Sequence, residues 1–207
     1  MKQKTSLKTI VYNSVLDGIF KDEYKPNQII NEQELVTKFG FSKSPVREAL
    51  IALCSDGVLK NIPRFGYEVV RLTRQDVEQI LDYRFILEGG YLSTCYASIT
   101  EEQLEHLDYL NTLCNEATDD VWKHWESNVN FHLGLLACAN NQYACEQLER
   151  SMNILKRAYA QFYWEKWNVV TQPTDVLHHV DILNSIRSGD ISNALAYLKE
   201  DLSDFGV

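Results

Sequence analysis

A mainly α-helical chain in two parts is predicted: three short helices and a β-hairpin, followed by an all-α bundle. Three observations predict it. Apolar residues recur at helical spacing along most of the sequence. Strand-like runs are confined to two short stretches between residues 59 and 70. The charge also divides along the chain. Residues 1–74 hold 12 Lys and Arg against 8 Asp and Glu, a net of +4, whereas residues 75–207 hold 8 against 21, a net of −13, which together make the −9 of the whole. A modestly basic head on an acidic body suggests two functional parts.

Composition bounds the class. The 207 residues, 45% of them hydrophobic, suffice for one ordinary domain or for a small one and a larger one. No run of about 18 uncharged apolar residues exists, so no membrane span is expected. Met1 to Lys8 is basic and polar, and no apolar signal segment follows it, so a cytoplasmic protein is expected. The five cysteines, Cys54, Cys95, Cys114, Cys138 and Cys145, are scattered and include no CxxC pair. Reduced cysteines packed in or near helices are expected, rather than a zinc knuckle or a redox motif.

The elements follow in order. Leu7 to Ile19 carries Ile10, Val11, Val15 and Ile19 on one helical stripe, and a turn at Tyr24-Lys25-Pro26-Asn27 ends it. Asn31 caps a second helix through Phe39, with Leu35, Val36 and Phe39 inward and Gly40 as its stop. A third helix runs from about Lys43 to Asp56, with Val46, Ala49, Leu50 and Leu53 inward, until Gly57. Leu59–Ile62 and Tyr67–Val70 read as strands joined by Pro63-Arg64-Phe65-Gly66. Three helices and a hairpin are the pattern of a winged helix-turn-helix, assigned to residues 1–72. Residues 73–207 carry no strand signal. Thr73 and Thr100 cap helices, the second with Glu101 and Glu102 in its first turn, where acids suit the helix dipole. Helices are predicted over about 74–97, from Thr100 on, and over 120–139, 142–163, 175–188 and 191–205. Asn140-Asn141, Thr171-Gln172-Pro173 and Gly189-Asp190 form breaks between them.

The stretch FGFSKSPVREAL, residues 39–50, has the sharpest local chemistry. Ser42 or Ser44 caps the third helix, and Pro45 sits in its first turn, where a missing N–H costs little. In a helix-turn-helix the second helix enters the DNA major groove by its N-terminal end. Lys43, Ser44 and Arg47 then face outward. Arg47 suits a guanine edge or a phosphate, the serines suit phosphate oxygens, and Arg64 at the hairpin tip suits the backbone or the minor groove. By spacing alone, an ordinary helical hairpin with a solvated cationic face remains the alternative.

In the body, polar residues fall on apolar stripes. Asn128 and His132 share a helix face with Val129, Leu135 and Leu136. His179 shares one with Val176, Ile182, Leu183 and Ile186, while His178 is rotated away. Asp201 lies among Ala194, Tyr197, Leu198 and Phe205, an expensive place for an unpartnered carboxylate. Three or four polar groups thus point into one apolar core, where they either serve a site or hydrogen-bond one another. Arg84, near Ile80, Leu81, Leu87 and Glu88, either clamps an effector carboxylate or pairs with Glu88. The Trp122/Trp125 and Trp164/Trp167 pairs read as core or interface.

The chain resembles the GntR superfamily of bacterial transcription regulators. The likeness rests on Pro26, on Asn31-Glu32-Gln33-Glu34-Leu35, on the whole run Phe39 to Leu50, and on Leu53, Asp56-Gly57 and Arg64-Phe65-Gly66-Tyr67. It implies that Ser42, Lys43, Ser44, Pro45 and Arg47 contact operator DNA together with Arg64 and Gly66 of the wing. Gln33 and Lys43 stand where the family often has Arg; Lys lacks the planar fork of Arg, which bears on the operator read. From Leu72 to about Asp204 the chain resembles the FCD-type ligand-binding domain of the same superfamily. That likeness rests on Arg84, Glu88, residues 128–132, Asn140, and His179 through Ile186 to Asp190. It implies a divalent metal held in the bundle and completed by an organic acid. Here the ligand set is Asn128, where Asp is usual, with His132, His179, and Asp201 in place of a third His; Arg84 is the effector-binding residue. The function implied is transcription regulation by a homodimer whose affinity for operator DNA responds to a small-molecule effector, with no catalysis. Two rivals are a metal-dependent enzyme using His132, His179 and an Asp201 base, and a helical sensor that binds protein partners. No HExxH motif, nucleophile elbow or phosphate loop supports the enzyme.

Overall fold

The computed structural model describes residues 5–117, 120–163 and 176–203. The chain divides into two compact units, residues 1–73 with 157–164, and residues 74–156 with 165–207.

The first unit holds α1 (Leu7–Phe20), β1 (Ile29–Ile30), α2 (Glu32–Phe39), α3 (Lys43–Ser55), β2 (Leu59–Ile62) and β3 (Gly66–Val69). Side chains start two of these helices: Ser6 accepts the Thr9 N–H, and Asn31 Oδ1 accepts the Gln33 N–H. Gly40, with φ +66°, ends α2 in the left-handed conformation that lets α3 begin three residues later, at Lys43. The four α3 residues predicted inward, Val46, Ala49, Leu50 and Leu53, are fully buried against Val11 and Val15 of α1 and Leu35 of α2. On α1 the buried line is Val11, Val15 and Gly18; Ile10, one helical step round from Val11, is 38% exposed and off the stripe.

The sheet has three strands, not two, in the order β1-β3-β2, all antiparallel. Strand β1 is two residues long, too short to show any alternation in sequence. Its approach to β3 also explains Gly66. At φ +132° a Cβ there would lie 2.6 Å from the Ile30 carbonyl oxygen, so glycine is demanded by strand packing independently of any ligand. The unit also takes in the end of a later helix, where Arg157 donates to the Gly57 carbonyl (2.9 Å) and Gln161 bonds both the N–H and the C=O of Leu72.

Tyr12 of α1 donates to Asp56 Oδ2 at the end of α3 (2.7 Å). Burial first, and then the carboxylate it bonds, push the phenol from the ordinary 10.0 up to about 12. A raised folded pKa means that this contribution is complete below the unfolded value and is lost as pH climbs through the folded one. The head is therefore expected to lose stability between about pH 10 and pH 12. Denaturant titrations of wild type and Tyr12→Phe check this: the alkaline loss should be smaller in the variant, with what remains due to Tyr67 and Cys54, which burial also raises.

The second unit contains α4 (Arg74–Cys95), a 3₁₀ turn at Tyr96–Ser98, α5 (Glu101–Glu116), α6 (Val121–Ala137), most of α7 (Gln142–Tyr163), α8 (His179–Arg187) and α9 (Ile191–Ser203). Thr100 and Gln103 form a complete capping box, and Asp120 Oδ1 accepts two N–H groups at the start of α6. Helix α5 packs on α6 and α8, α8 on α9, and α4 on α6 and α9. These contacts close around a core that includes Leu92, Leu107, Phe131, Ile182, Leu183 and Leu198, with Cys95, Cys114 and Cys138 inside it. Helix α4 stops two residues before the predicted Ala97, where the chain tightens into the 3₁₀ turn. The Trp164/Trp167 pair, the Thr171-Gln172-Pro173 break, the predicted α8 start at Asp175, and Phe205 lie outside the described residues. Among the described residues no helix is long and apolar enough to cross a membrane.

Candidate functional site

The first turn of α3 is exposed and chemically distinctive. Ser42 is the N-cap by backbone geometry, yet its side chain makes no capping bond. Pro45 is the third helical residue and has no N–H, so one of the two donors a capping hydroxyl accepts from is missing. Ser42 and Lys43 therefore face solvent, and the exposed Ser44 hydroxyl donates to Glu48 Oε1 (2.8 Å). Arg47 is exposed as predicted, but it is not unengaged. Its Nε donates to Glu32 Oε2 (2.9 Å) and its Nη2 to Glu32 Oε1 (2.8 Å), a bidentate pair between α3 and α2. Gln33 is exposed beside Glu32. Arg64 lies on the β2–β3 turn with φ +70°, and Gly66 is the first residue of β3. Next to Arg64, Phe65 is 71% exposed, a wing-tip aromatic to which the sequence reading gave no role.

The second constellation is buried, and five helices build it. Helix α4 supplies Arg84 and Glu88, α5 Asn111, α6 Asn128 and His132, α8 His179, and α9 Asp201; all seven are buried. Glu88 takes a hydrogen bond from Arg84 Nε (2.9 Å) and one from His132 Nδ1 (2.7 Å). A carboxylate only accepts, so Nδ1 carries a proton and Nε2 is turned the other way, toward Asp201. Nε2 lies 3.2 Å from Asp201 Oδ2. His179 repeats the device. Its Nδ1 is 3.2 Å from Asn111 Oδ1, which also accepts from Asn115 Nδ2, and its Nε2 faces Asp201 Oδ1 at 3.7 Å. The His179 ring stacks on Phe131 (centroids 3.6 Å apart), which fixes its plane.

Polar atoms thus converge in the core with few hydrogen bonds among the described residues. Among the described residues, His179 Nε2, both Asp201 oxygens and Arg84 Nη2 are buried without a hydrogen bond. One ligand atom from each of His132, His179 and Asp201 lies within 4.8 Å of the others. His132 Nε2 lies 3.2 Å from one Asp201 oxygen and His179 Nε2 3.7 Å from the other, so a small shift of these side chains would bring one donor from each to a common ion at about 2.1 Å. Both imidazoles are held at Nδ1 and present Nε2, the orientation that backing hydrogen bonds give metal-binding histidines. The residues fit a divalent ion of the borderline kind.

Without an ion, the electrostatics favour a charged His132 beside a neutral His179. Burial alone would raise Glu88, but Arg84 and His132 outweigh it and keep this carboxylate below its usual range. Burial disfavours a charged His132, yet the carboxylates of Glu88 and Asp201 lift it above the ordinary imidazole range. Burial, and then the charge of His132, drive His179 well below that range, so it stays neutral. Burial pushes Asp201 up, and His132 opposes it.

Of the predicted residues, His132, His179 and Asp201 are brought together, and Asn128 is buried one helical turn before His132. Arg84 pairs with Glu88, the structural alternative of the sequence reading, while its Nη2 is left over. Asn111 was missed. Its signal was legible, since it sits on the stripe of Leu104, Leu107 and Cys114, where an amide has no structural use without a polar partner.

Comparison with known proteins gives the same division. The family model described as bacterial regulatory proteins, gntR family, matches residues 7–69, and that of the FCD domain matches residues 79–204. The HTH-type transcriptional regulator YdhC of Bacillus subtilis (strain 168) is 31% identical over 148 residues, 70% of this chain and 66% of that protein, so the match spans just under two thirds of the relative. The HTH-type transcriptional repressor RspR of Escherichia coli (strain K12) is 26% identical over 188 residues, 86% of this chain and 79% of the repressor. Among solved structures, E. coli McbR/YncC superposes with a TM-score of 0.74 at 21% identity, covering 97% of this chain and 95% of that one. A GntR regulator from Rhodococcus sp. RHA1 superposes with a TM-score of 0.72, also at 21% identity and the same coverage. At that identity the two structures show the fold alone.

Proposed function

The chain belongs to the gntR family of bacterial regulatory proteins and carries an FCD domain, a DNA-binding transcription regulator and not an enzyme, and from that premise we propose that an organic acid anchored at a divalent metal in the bundle sets its operator affinity. The observation that carries the proposal is the buried cluster in which His132, His179 and Asp201 converge while Arg84 Nη2 and the Asp201 oxygens make no hydrogen bond among the described residues. His132 and His179 would give Nε2, Asp201 a carboxylate oxygen, and Asn128 an amide oxygen. The ion supplies a Lewis-acid anchor for a carboxylate oxygen. Arg84, held by Glu88 through Nε, supplies its Nη2 to the same anion as a charge-assisted donor. Glu88 and Asn111 keep the two imidazoles turned inward.

In this reading the protein acts as a homodimer. It presents two α3 helices to successive major grooves of a near-palindromic site, with the wing residues on flanking backbone. Effector binding and DNA binding are then reciprocally coupled: whatever factor the effector imposes on operator affinity, operator imposes on effector affinity.

Elemental analysis and native mass spectrometry of protein purified without chelator test the proposal. About one Zn, Ni or Mn per chain is expected in wild type, and less than about a tenth of that in Asp201→Ala. Wild-type protein that neither retains nor takes up any of these ions in stoichiometric amount would sink it.

A further inference from the structure

Arg47 is the cation best placed to read DNA, and in the structure one edge of its guanidinium is already occupied. Glu32 takes Nε and Nη2 in a two-point clamp, leaving Nη1 and the second Nη2 hydrogen without an intramolecular hydrogen bond among the described residues. That remaining edge is itself a parallel pair of donors, the geometry that matches O6 and N7 of guanine. Glu32 is anchored where it stands. It is the first residue of α2, directly after the Asn31 cap, and its side chain is only 20% exposed against 58% for Arg47. The hydrogen bond from Arg47 lowers the Glu32 pKa, so the clamp is ionic at neutral pH.

A carboxylate at a DNA-facing surface needs a reason, because it repels phosphate. Clamped to Arg47, it cancels much of the cation's charge, which makes Arg47 a poor phosphate ligand. It also fixes the guanidinium plane, which favours an acceptor pair in that plane. Resting on the reading of α3 as the recognition helix, we propose that Glu32 is a positioning residue for operator recognition: it holds Arg47 by one edge and turns the other toward a guanine, so that the pair reads one G·C base pair.

Selection of duplexes from a randomised pool by the full chain, at one fixed salt concentration, gives a base-preference profile. The profile is then compared among wild type, Glu32→Gln, Arg47→Lys and the double variant. Arg47→Lys should lose the preference for guanine at one position of the bound site, since Lys has no fork. Glu32→Gln should lose preference at that same position by about tenfold, within the range of one bidentate base contact. Its affinity for random duplex should be unchanged or higher, and the double variant no worse than Arg47→Lys. The ratio of selected to random-duplex affinity in one sample cancels any loss of folded protein. If Glu32→Gln strengthens selected and random duplexes by one common factor and leaves the profile intact, Glu32 is only a repulsive charge and the inference is overturned. If Arg47→Lys erases the guanine preference while Glu32→Gln does not, the inference falls and the recognition helix stands. If Arg47→Lys itself changes neither profile nor affinity, both fall.

Discussion

Glu88→Ala is expected to destabilise the bundle by about 3–5 kcal/mol, the cost of removing one partner from a buried ion pair. Glu88 is the common acceptor for Arg84 and His132, and the side chains of all three are 5% exposed or less. Without it, a guanidinium is left in a low-dielectric core with Nε unbonded as well as Nη2, and His132 loses the acceptor that sets its tautomer. For a chain of this size each kcal/mol moves the thermal midpoint by about 2–4 °C, so the bundle's transition should fall by roughly 10 °C. Differential scanning calorimetry reads this directly. The control is an apolar replacement of the pair, Arg84→Met with Glu88→Leu. Buried ion pairs replaced by side chains of similar volume are often neutral or better, so the double variant should recover most of the loss. If it is as unstable as Glu88→Ala, packing volume and not charge accounts for the residue.

Sequence reading and structure agree where one periodicity decided the outcome. The inward face of α3 needed only the spacing of Val46, Ala49, Leu50 and Leu53, and the α5 start needed only Thr100 followed by Glu101 and Glu102. His132, His179 and Asp201 were legible for the opposite reason: each is a polar residue where the period demands an apolar one. Features fixed by pairing across the chain were not legible. Strand β1 exists because β3 offers it hydrogen bonds, and two residues carry no pattern of their own. The outward direction of Arg47 followed from its own helix. Its clamp depends on Glu32, 15 residues earlier on another helix, and no spacing rule connects them. Glu88 was visible as the i+4 partner of Arg84, but its bond to His132 spans 44 residues. Periodicity reports which face a residue occupies; which neighbour it meets there is set by helix packing.

His179→Leu should separate a binding site from a structural network, because the two readings predict opposite signs. If the cluster exists to hold an ion, its unbonded atoms burden the ion-free protein. His179 is fully buried, its Nε2 has no hydrogen bond, and its pKa lies well below the ordinary value because the charged form is so poorly accommodated. Leucine of comparable bulk removes those polar atoms and keeps contact with Phe131, so the metal-free variant should be as stable as metal-free wild type or more so. The ion-bound forms should then differ sharply. Structural zinc contributes about 10–16 kcal/mol over four ligands, roughly 3 kcal/mol for each, so loss of one ligand should weaken Zn²⁺ or Ni²⁺ binding about 100-fold. At an ion concentration 100 times the wild-type Kd, wild type gains about 2.7 kcal/mol and the variant only a few tenths. Thermal unfolding with and without added ion therefore gives a crossing pattern, with the variant equal or ahead in chelator and behind in metal. Were His179 instead held for the Asn111 hydrogen bond and the Phe131 stack, the variant would be weaker in chelator and the increment from metal unchanged. The crossing thus reports on the Nε2 lone pair itself, the one atom of His179 for which the fold provides no other use.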